Sequence, residues 1–196
     1  MTPTFFETNS YFIDEKVNFL KFENAYKVYN DKGDYIGSIV QKLTFGQKML
    51  RLLLNKAMLP FHLEIRNAKD EVEATISRGW TFFMSKIEIQ DARWNKIGFI
   101  QQKFKFFKPT FKIFNKSQNQ IAEITGDWKA WNFEIKDSNG NQIGVITKKW
   151  AGAMQEIFTT ADKYNVVINP DFANLEHKIC IVSCAVTIDM VLKESK

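Results

Sequence analysis

The chain has 196 residues, 45% of them hydrophobic and 25% charged, with 18 Phe, 5 Trp, a net charge of +5 and a pI near 9.1. That balance belongs to a globular protein, and the length leaves room for one sizeable core or at most two small ones. The aromatic share suits strands, whose pleated surface packs rings well, and the positive charge favours anionic partners such as lipid head groups or nucleic acid.

The N-terminus, MTPTFFETNSYFIDEK, has no basic n-region running into an apolar h-region, so no signal peptide is read and a cytoplasmic protein is expected. Residues 16–23 (KVNFLKFE) alternate in part and are read as a first strand. The whole of 1–196 is read as one domain, with 1–21 a peripheral segment.

A repeat then begins. Residues 26–40, 62–76, 86–100, 111–124 and 133–146 share one pattern. Each opens on alternating apolar positions that end in a β-branched residue: Val28, Ile65, Ile89, Ile113 and Ile135. Two residues on stands an Asx: Asn30, Asn67, Asp91, Asn115 or Asp137. A polar stretch and an apolar–small–x–apolar return follow, as in Ile36-Gly37-Ser38-Ile39. Asx side chains hydrogen-bond their own backbone and tolerate left-handed geometry, so each segment reads as a β-hairpin. Glycine on the return strand signals a bulge or a close backbone approach. From the second copy on, the starts lie about two dozen residues apart, the period of a stacked or barrel-forming array. Apolar and charged residues alternate, so each strand has one wet and one buried face, and the sheet is antiparallel. Ten strands or more tend to curl or close.

Residues 41–60 (QKLTFGQKMLRLLLNKAMLP) interrupt the repeat. Residues 47–59 fit a helix with Leu52 and Leu53 among its apolar positions and Lys48, Arg51 and Lys56 among its basic ones, ended by Pro60. It reads either as an interfacial helix that dips into an anionic membrane or as a cap on the end of the barrel. Residues 101–114 (QQKFKFFKPTFKIF) set Lys103, Lys105, Lys108 and Lys112 against Phe104, Phe106, Phe107 and Phe111. Such a stretch either stacks on nucleic-acid bases or exposes a solvated lysine face over core phenylalanines. Residues 148–160 have helical spacing, 164–168 (YNVVI) form a further strand candidate, and Asn174 is a fitting N-cap for a last helix.

That helix carries the organising stretch, 179–188 (ICIVSCAVTI), on a longer run over 175–192. A spanning helix needs about 20 apolar residues; this stretch is bounded by Lys178 and Asp189, and a carboxylate in hydrocarbon is costly. A helix apolar on all sides needs apolar walls on all sides, and a closed ring of hairpins supplies them. Cys180 and Cys184 share a helix face and read as buried reduced thiols. His62 and His177 are the only histidines. No His/Cys cluster has metal-ligand spacing, and no nucleophile elbow, phosphate loop, dinucleotide fingerprint or carboxylate pair is legible, so no classical enzyme is expected.

Residues 132–195 resemble the C-terminal part of the phospholipid scramblase family. The resemblance is carried by Phe133-Glu134-Ile135-Lys136, Gly144-x-Ile146, Lys149-Trp150, Glu156-x-Phe158-Thr159, Ala161-Asp162, Ile188-Asp189 and Glu194-Ser195. Upstream, Phe22-Glu23-Asn24 and Gly98-Phe99-Ile100-x-Gln102-Lys103 are also similar. The resemblance implies the tubby-like superfold, an antiparallel β-barrel of about twelve strands around a C-terminal hydrophobic helix. It implies a membrane-associated protein at the inner face of the plasma membrane, with bidirectional, ATP-independent phospholipid movement stimulated by calcium. The cysteine-rich palmitoylated segment of animal members falls at 41–60, which here contains no cysteine; the Leu/Met-rich helix would substitute by direct insertion. The family's calcium segment falls at 160–171, where Asp162 matches and Asp171 follows with a one-residue shift. Three readings stand: a scramblase; a soluble module or regulatory scaffold that holds anionic head groups with Lys48, Arg51, Lys56, Lys103, Lys105 and Lys108; and a nucleic-acid-binding protein.

Overall fold

The computed structural model describes residues 4–18, 23–44, 46, 59–80, 86–103, 109–127, 129–148 and 163–194. Twelve strands run in chain order: β1 (Ser10–Asn18), β2 (Glu23–Tyr29), β3 (Tyr35–Lys42), β4 (Phe61–Asn67), β5 (Val72–Arg78), β6 (Lys86–Asp91), β7 (Lys96–Lys103), β8 (Thr110–Asn115), β9 (Gln120–Asp127), β10 (Asn132–Asp137), β11 (Gln142–Thr147) and β12 (Lys163–Ile168). Each pairs antiparallel with the next, and β1 pairs with β12, so the sheet closes into a barrel. One helix, α1 (Leu175–Glu194), follows β12.

All five repeats are hairpins, built by one device. Residue i is the Asx, and its N–H donates to the carbonyl of i+4: Asn30 to Asp34, Asn67 to Glu71, Asp91 to Asn95, Asn115 to Asn119 and Asp137 to Asn141, each at 2.9–3.0 Å. The Asx side-chain oxygen accepts the N–H of i+4 in every copy. Residue i+3 is left-handed: Gly33, Asp70, Trp94, Gln118 and Gly140. The register slips once in each hairpin, beside the last β-branched residue, so each loop ends in a bulge that strengthens the local twist.

The small residue of each return strand has a structural reason. Val28 faces Gly37, Ile65 faces Ala74, Ile89 faces Gly98, Ile113 faces Ala122 and Ile135 faces Gly144. Directly opposed residues point to the same side of the sheet, and here that side is the interior. The small member leaves space for what fills the barrel. A Cβ on Gly98 would stand 2.4 Å from the Phe114 carbonyl oxygen and 2.8 Å from the Cys180 sulfur, and one on Gly37 would meet the Phe5 ring at 2.9 Å.

α1 occupies that interior. Its N-terminus is capped as expected, with the His177 N–H donating to Asn174 Oδ1 at 2.9 Å and the Lys178 N–H to the Asn174 carbonyl. Ile181, Val182, Cys184, Ala185, Val186 and Ile188 are fully buried. Burial pushes the Cys180 thiol up to about 12 and holds the Cys184 thiol well above its usual value. Ser183 and Thr187 are also buried, and the Thr187 hydroxyl returns to the Ser183 carbonyl at 2.8 Å.

The N-terminal segment differs from its sequence reading. β1 spans 10–18 rather than 16–23, and 23 onward belongs to β2. Tyr11 and Ile13 set the register by facing inward, a period-two signal shorter than the charged run that follows it. Before β1, the 3-10 helix Phe5–Glu7 buries both phenylalanines. The Glu73 carboxylate accepts the N–H groups of Thr4 and Phe5 and the Thr4 hydroxyl at 2.7–2.8 Å. Lys178 Nζ donates to the Asn9 side chain at 2.7 Å and reaches the Phe6 and Thr8 carbonyls. Residues 4–9 thus close one end of the barrel beside the start of α1.

Candidate functional site

Strand direction sorts the connections between the two ends. The five Asx hairpins, the 4–9 plug and the β12–α1 turn lie at one end, here the turn end. The gaps β1–β2, β3–β4, β5–β6, β7–β8, β9–β10 and β11–β12 all lie at the other, here the open end, toward which α1 runs. The turn end carries a small acidic excess: Glu7, Asp31, Asp34, Asp70, Glu71, Glu73, Asp91, Asp137, Asp171 and Glu176 stand against Lys32, Arg66, Lys69, Arg93, Lys96, Lys116, Lys136 and Lys178.

Of the sequence-derived lipid contacts, Lys103 is the one among the described residues. It closes β7 at the open end and is exposed. Lys48, Arg51, Leu52, Leu53, Lys56, Lys105 and Lys108 lie outside the described residues. Their brackets are nonetheless fixed: Lys42 ends β3 and Phe61 starts β4 around the first group, and Lys103 and Thr110 stand either side of the second. The helices expected over 47–59 and 148–160 fall almost wholly outside the described residues too.

Of the two calcium candidates, Asp162 is outside the described residues. Asp171 is exposed in the β12–α1 turn, at the opposite end from Lys103, with its N–H donating to Asn169 Oδ1 at 3.0 Å. Among the described residues no group of three or more His, Cys, Asp or Glu is arranged to hold a metal ion.

Beneath the open rim the barrel interior turns polar. Asp189, buried near the end of α1, accepts the Tyr26 hydroxyl at 3.2 Å. Tyr164 is fully buried, and burial first, then the nearby Asp189 charge, drives its phenol well above the usual value. Arg78 donates from Nη2 to the Leu59 carbonyl at 2.8 Å and lies 4.6 Å from the centre of the Phe61 ring. Gln41 and Gln102 are buried on the same interior face. This layer places groups that need hydrogen bonds between the apolar core and the rim. The apolar-all-round reading of α1 therefore holds through Ile188 and ends at Asp189.

On the outer wall, Phe99 and Phe114 stack with centroids 4.9 Å apart. Lys86 Nζ sits 4.0 Å over the Phe99 ring, and Lys96 pairs with Glu88 beside it. Lys112, read with the basic stretch, pairs with Glu123 at 3.6 Å and donates to Gln120. Lys112 is thus half-buried and partly neutralised, and Phe111 is in the core.

Sequence reasoning missed Trp80. It follows β5 by two residues at the open end and is 54% exposed. The signal is present, since Gly79-Trp80 follows a strand with no Asx turn, but it lies outside the repeated pattern. No helix among the described residues is long and apolar enough to cross a membrane.

The family model described as Scramblase matches residues 13–195. Human phospholipid scramblase family member 5 is 30% identical over 96 residues, covering 45% of this chain and 35% of that protein. Human phospholipid scramblase 1 is 28% identical over 119 residues, 57% of this chain and 37% of that one. A phospholipid scramblase family protein of Schizosaccharomyces pombe is 19% identical over 160 residues, 74% and 41%. The matches therefore span well under half the length of these relatives. The X-ray structure of an Arabidopsis thaliana protein superposes with a TM-score of 0.54 at 7% identity, over 99% of this chain and 96% of that one, which supports the fold alone.

Proposed function

The chain belongs to the scramblase family, and from that premise we propose that it docks on anionic phospholipid membranes through the open end of its barrel and there moves phospholipid between leaflets without an energy source. The observation that carries the reading is the electrical asymmetry of the barrel. Hairpin loops with an acidic excess gather at the turn end, and the strand ends Lys42, Lys86 and Lys103 stand at the other. An anionic surface attracts the second end and repels the first, with each basic residue near the surface worth about 1 kcal/mol. The lipid route in this reading does not run through the barrel, because α1 fills it; lipid moves along the outside of the docked protein, where the bilayer is perturbed.

The test uses the full chain with phosphatidylcholine vesicles, with and without phosphatidylserine, in calcium and in chelator. Sedimentation with the anionic vesicles is expected, weakening as salt rises. Lys48→Glu, Arg51→Glu and Lys56→Glu together are expected to lower binding by about a hundredfold or more. Bleaching of fluorescent lipid in the outer leaflet then reads movement: bleaching past half of the label supports it, and bleaching that stops at half leaves a head-group-binding module. No sedimentation with either vesicle overturns docking. Binding to RNA with the vesicles ignored favours the nucleic-acid reading.

A further inference from the structure

Five adjacent strands, β3 to β7, make one arc of the open rim. At their ends stand Lys42, exposed at the end of β3; Trp80, just past β5; Lys86, opening β6; and Lys103, closing β7. The carboxylates of this arc nearest the rim among the described residues are Glu64, 3.8 Å from the half-exposed Lys42, and Glu88, both facing outward one turn of the pleat below it. The opposite arc differs. Around β9 and β10 a polar groove of about 210 Å³ is lined by Thr125, Gly126, Asp127, Asn132 and Glu134, with Asp127 at the rim and Glu134 paired to Lys136 at 2.9 Å.

A tryptophan more than half exposed amid lysines is costly in water and favourable at a bilayer interface. There its ring sits at head-group depth while its N–H stays wet and the lysines meet phosphate. We propose that the β3–β7 arc is the leading edge of the docked barrel, and that Trp80 is its interfacial anchor, inserted into an anionic phospholipid bilayer. The inference rests on the docking proposed above and adds to it an orientation: the β9–β10 side is tilted away from the surface. Trp94 supplies an internal control. It is equally exposed, at 57%, but lies in the β6–β7 hairpin at the turn end, stacked near His62 with centroids 6.3 Å apart. Exposure alone therefore does not separate the two tryptophans: the Trp94 ring lies against His62 on the outer wall, whereas Trp80 stands past the end of β5 at the open rim.

The test measures binding to phosphatidylcholine–phosphatidylserine vesicles, plain and with brominated acyl chains that quench tryptophan emission. The wild type is expected to be quenched, and Trp80→Phe to lose most of that quenching. Trp80→Ala is expected to bind about tenfold more weakly at unchanged thermal stability, while Trp94→Phe matches the wild type in both. Binding with quenching unchanged in Trp80→Phe, or with equal affinity in Trp80→Ala, overturns the anchor and leaves docking standing. Absence of binding by the wild type overturns both.

Discussion

The two ends of the barrel are built by different means. At the turn end every connection is short and supports itself. The Asn30, Asn67, Asp91 and Asp137 side chains each satisfy at least two backbone N–H groups of their own loop and Asn115 satisfies one, Asn174 caps α1, and the 4–9 segment is tied by Glu73 on one side and Lys178 on the other. At the open end the strands stop at lysines, a tryptophan and a buried polar layer. The contrast suggests a division of labour: the turn end holds the fold and the open end meets the partner. Substitutions should then separate stability from vesicle binding according to the end they strike.

The largest expected effect on stability is at Gly98. Gly98→Val drives atoms into the Phe114 carbonyl and the Cys180 sulfur, and a loss of about 3 kcal/mol or more is expected in denaturant unfolding. An unchanged midpoint would mean that α1 does not pack against this position. Glu73→Ala comes next. It orphans the N–H groups of Thr4 and Phe5, the latter at a fully buried residue, so about 2 kcal/mol is expected to be lost, with faster amide exchange across 4–9. Lys103→Glu at the open end is expected to leave stability within about 0.5 kcal/mol while lowering vesicle affinity; a comparable stability loss would erase the division between the ends.

A pH series sharpens the comparison. Burial holds the imidazoles of His177, at the turn end, and His62, on the outer wall, below the usual value of 6.5. Each therefore takes up its proton more readily in the unfolded chain. Their contribution to stability is complete above pH 6.5 and is lost as the pH falls through the folded values. The melting temperature is expected to decline over that interval, less steeply in His177→Gln. The smallest effect is a gain: Gln118 occupies a left-handed position at φ 65°, and Gln118→Gly is expected to stabilise by about 1 kcal/mol, read as a shifted denaturant midpoint.

Much of the fold was legible because its information is local. Val28-x-Asn30 and its four counterparts state where a strand ends, how the loop turns and which residue faces in, all within fifteen residues. The capped terminal helix and its need for apolar walls were legible for the same reason. The start of β1 was not, since Tyr11 and Ile13 acquire their inward register from pairing with β12 and β2. The candidate site was legible only as basic stretches. Lys103 reads as part of a charged surface, but nothing in its stretch says that it lies at the same end of the molecule as Lys42 and Trp80, or that Asp171 lies at the other.

By itself, then, the sequence determined the hairpins, their loops and a helix that has to be enclosed, because alternation, Asx geometry and capping act between neighbours in the chain. The tertiary structure alone decided what closure brings together. Pairing β1 with β12 turned a row of hairpins into a cylinder with two unlike ends. It set Tyr26 against Asp189 across 163 positions of sequence, and it gathered Lys42, Trp80, Lys86 and Lys103 onto one rim. The physical reason is that hydrogen bonding around a closed sheet fixes the end from which every connection leaves, and no single segment carries that information.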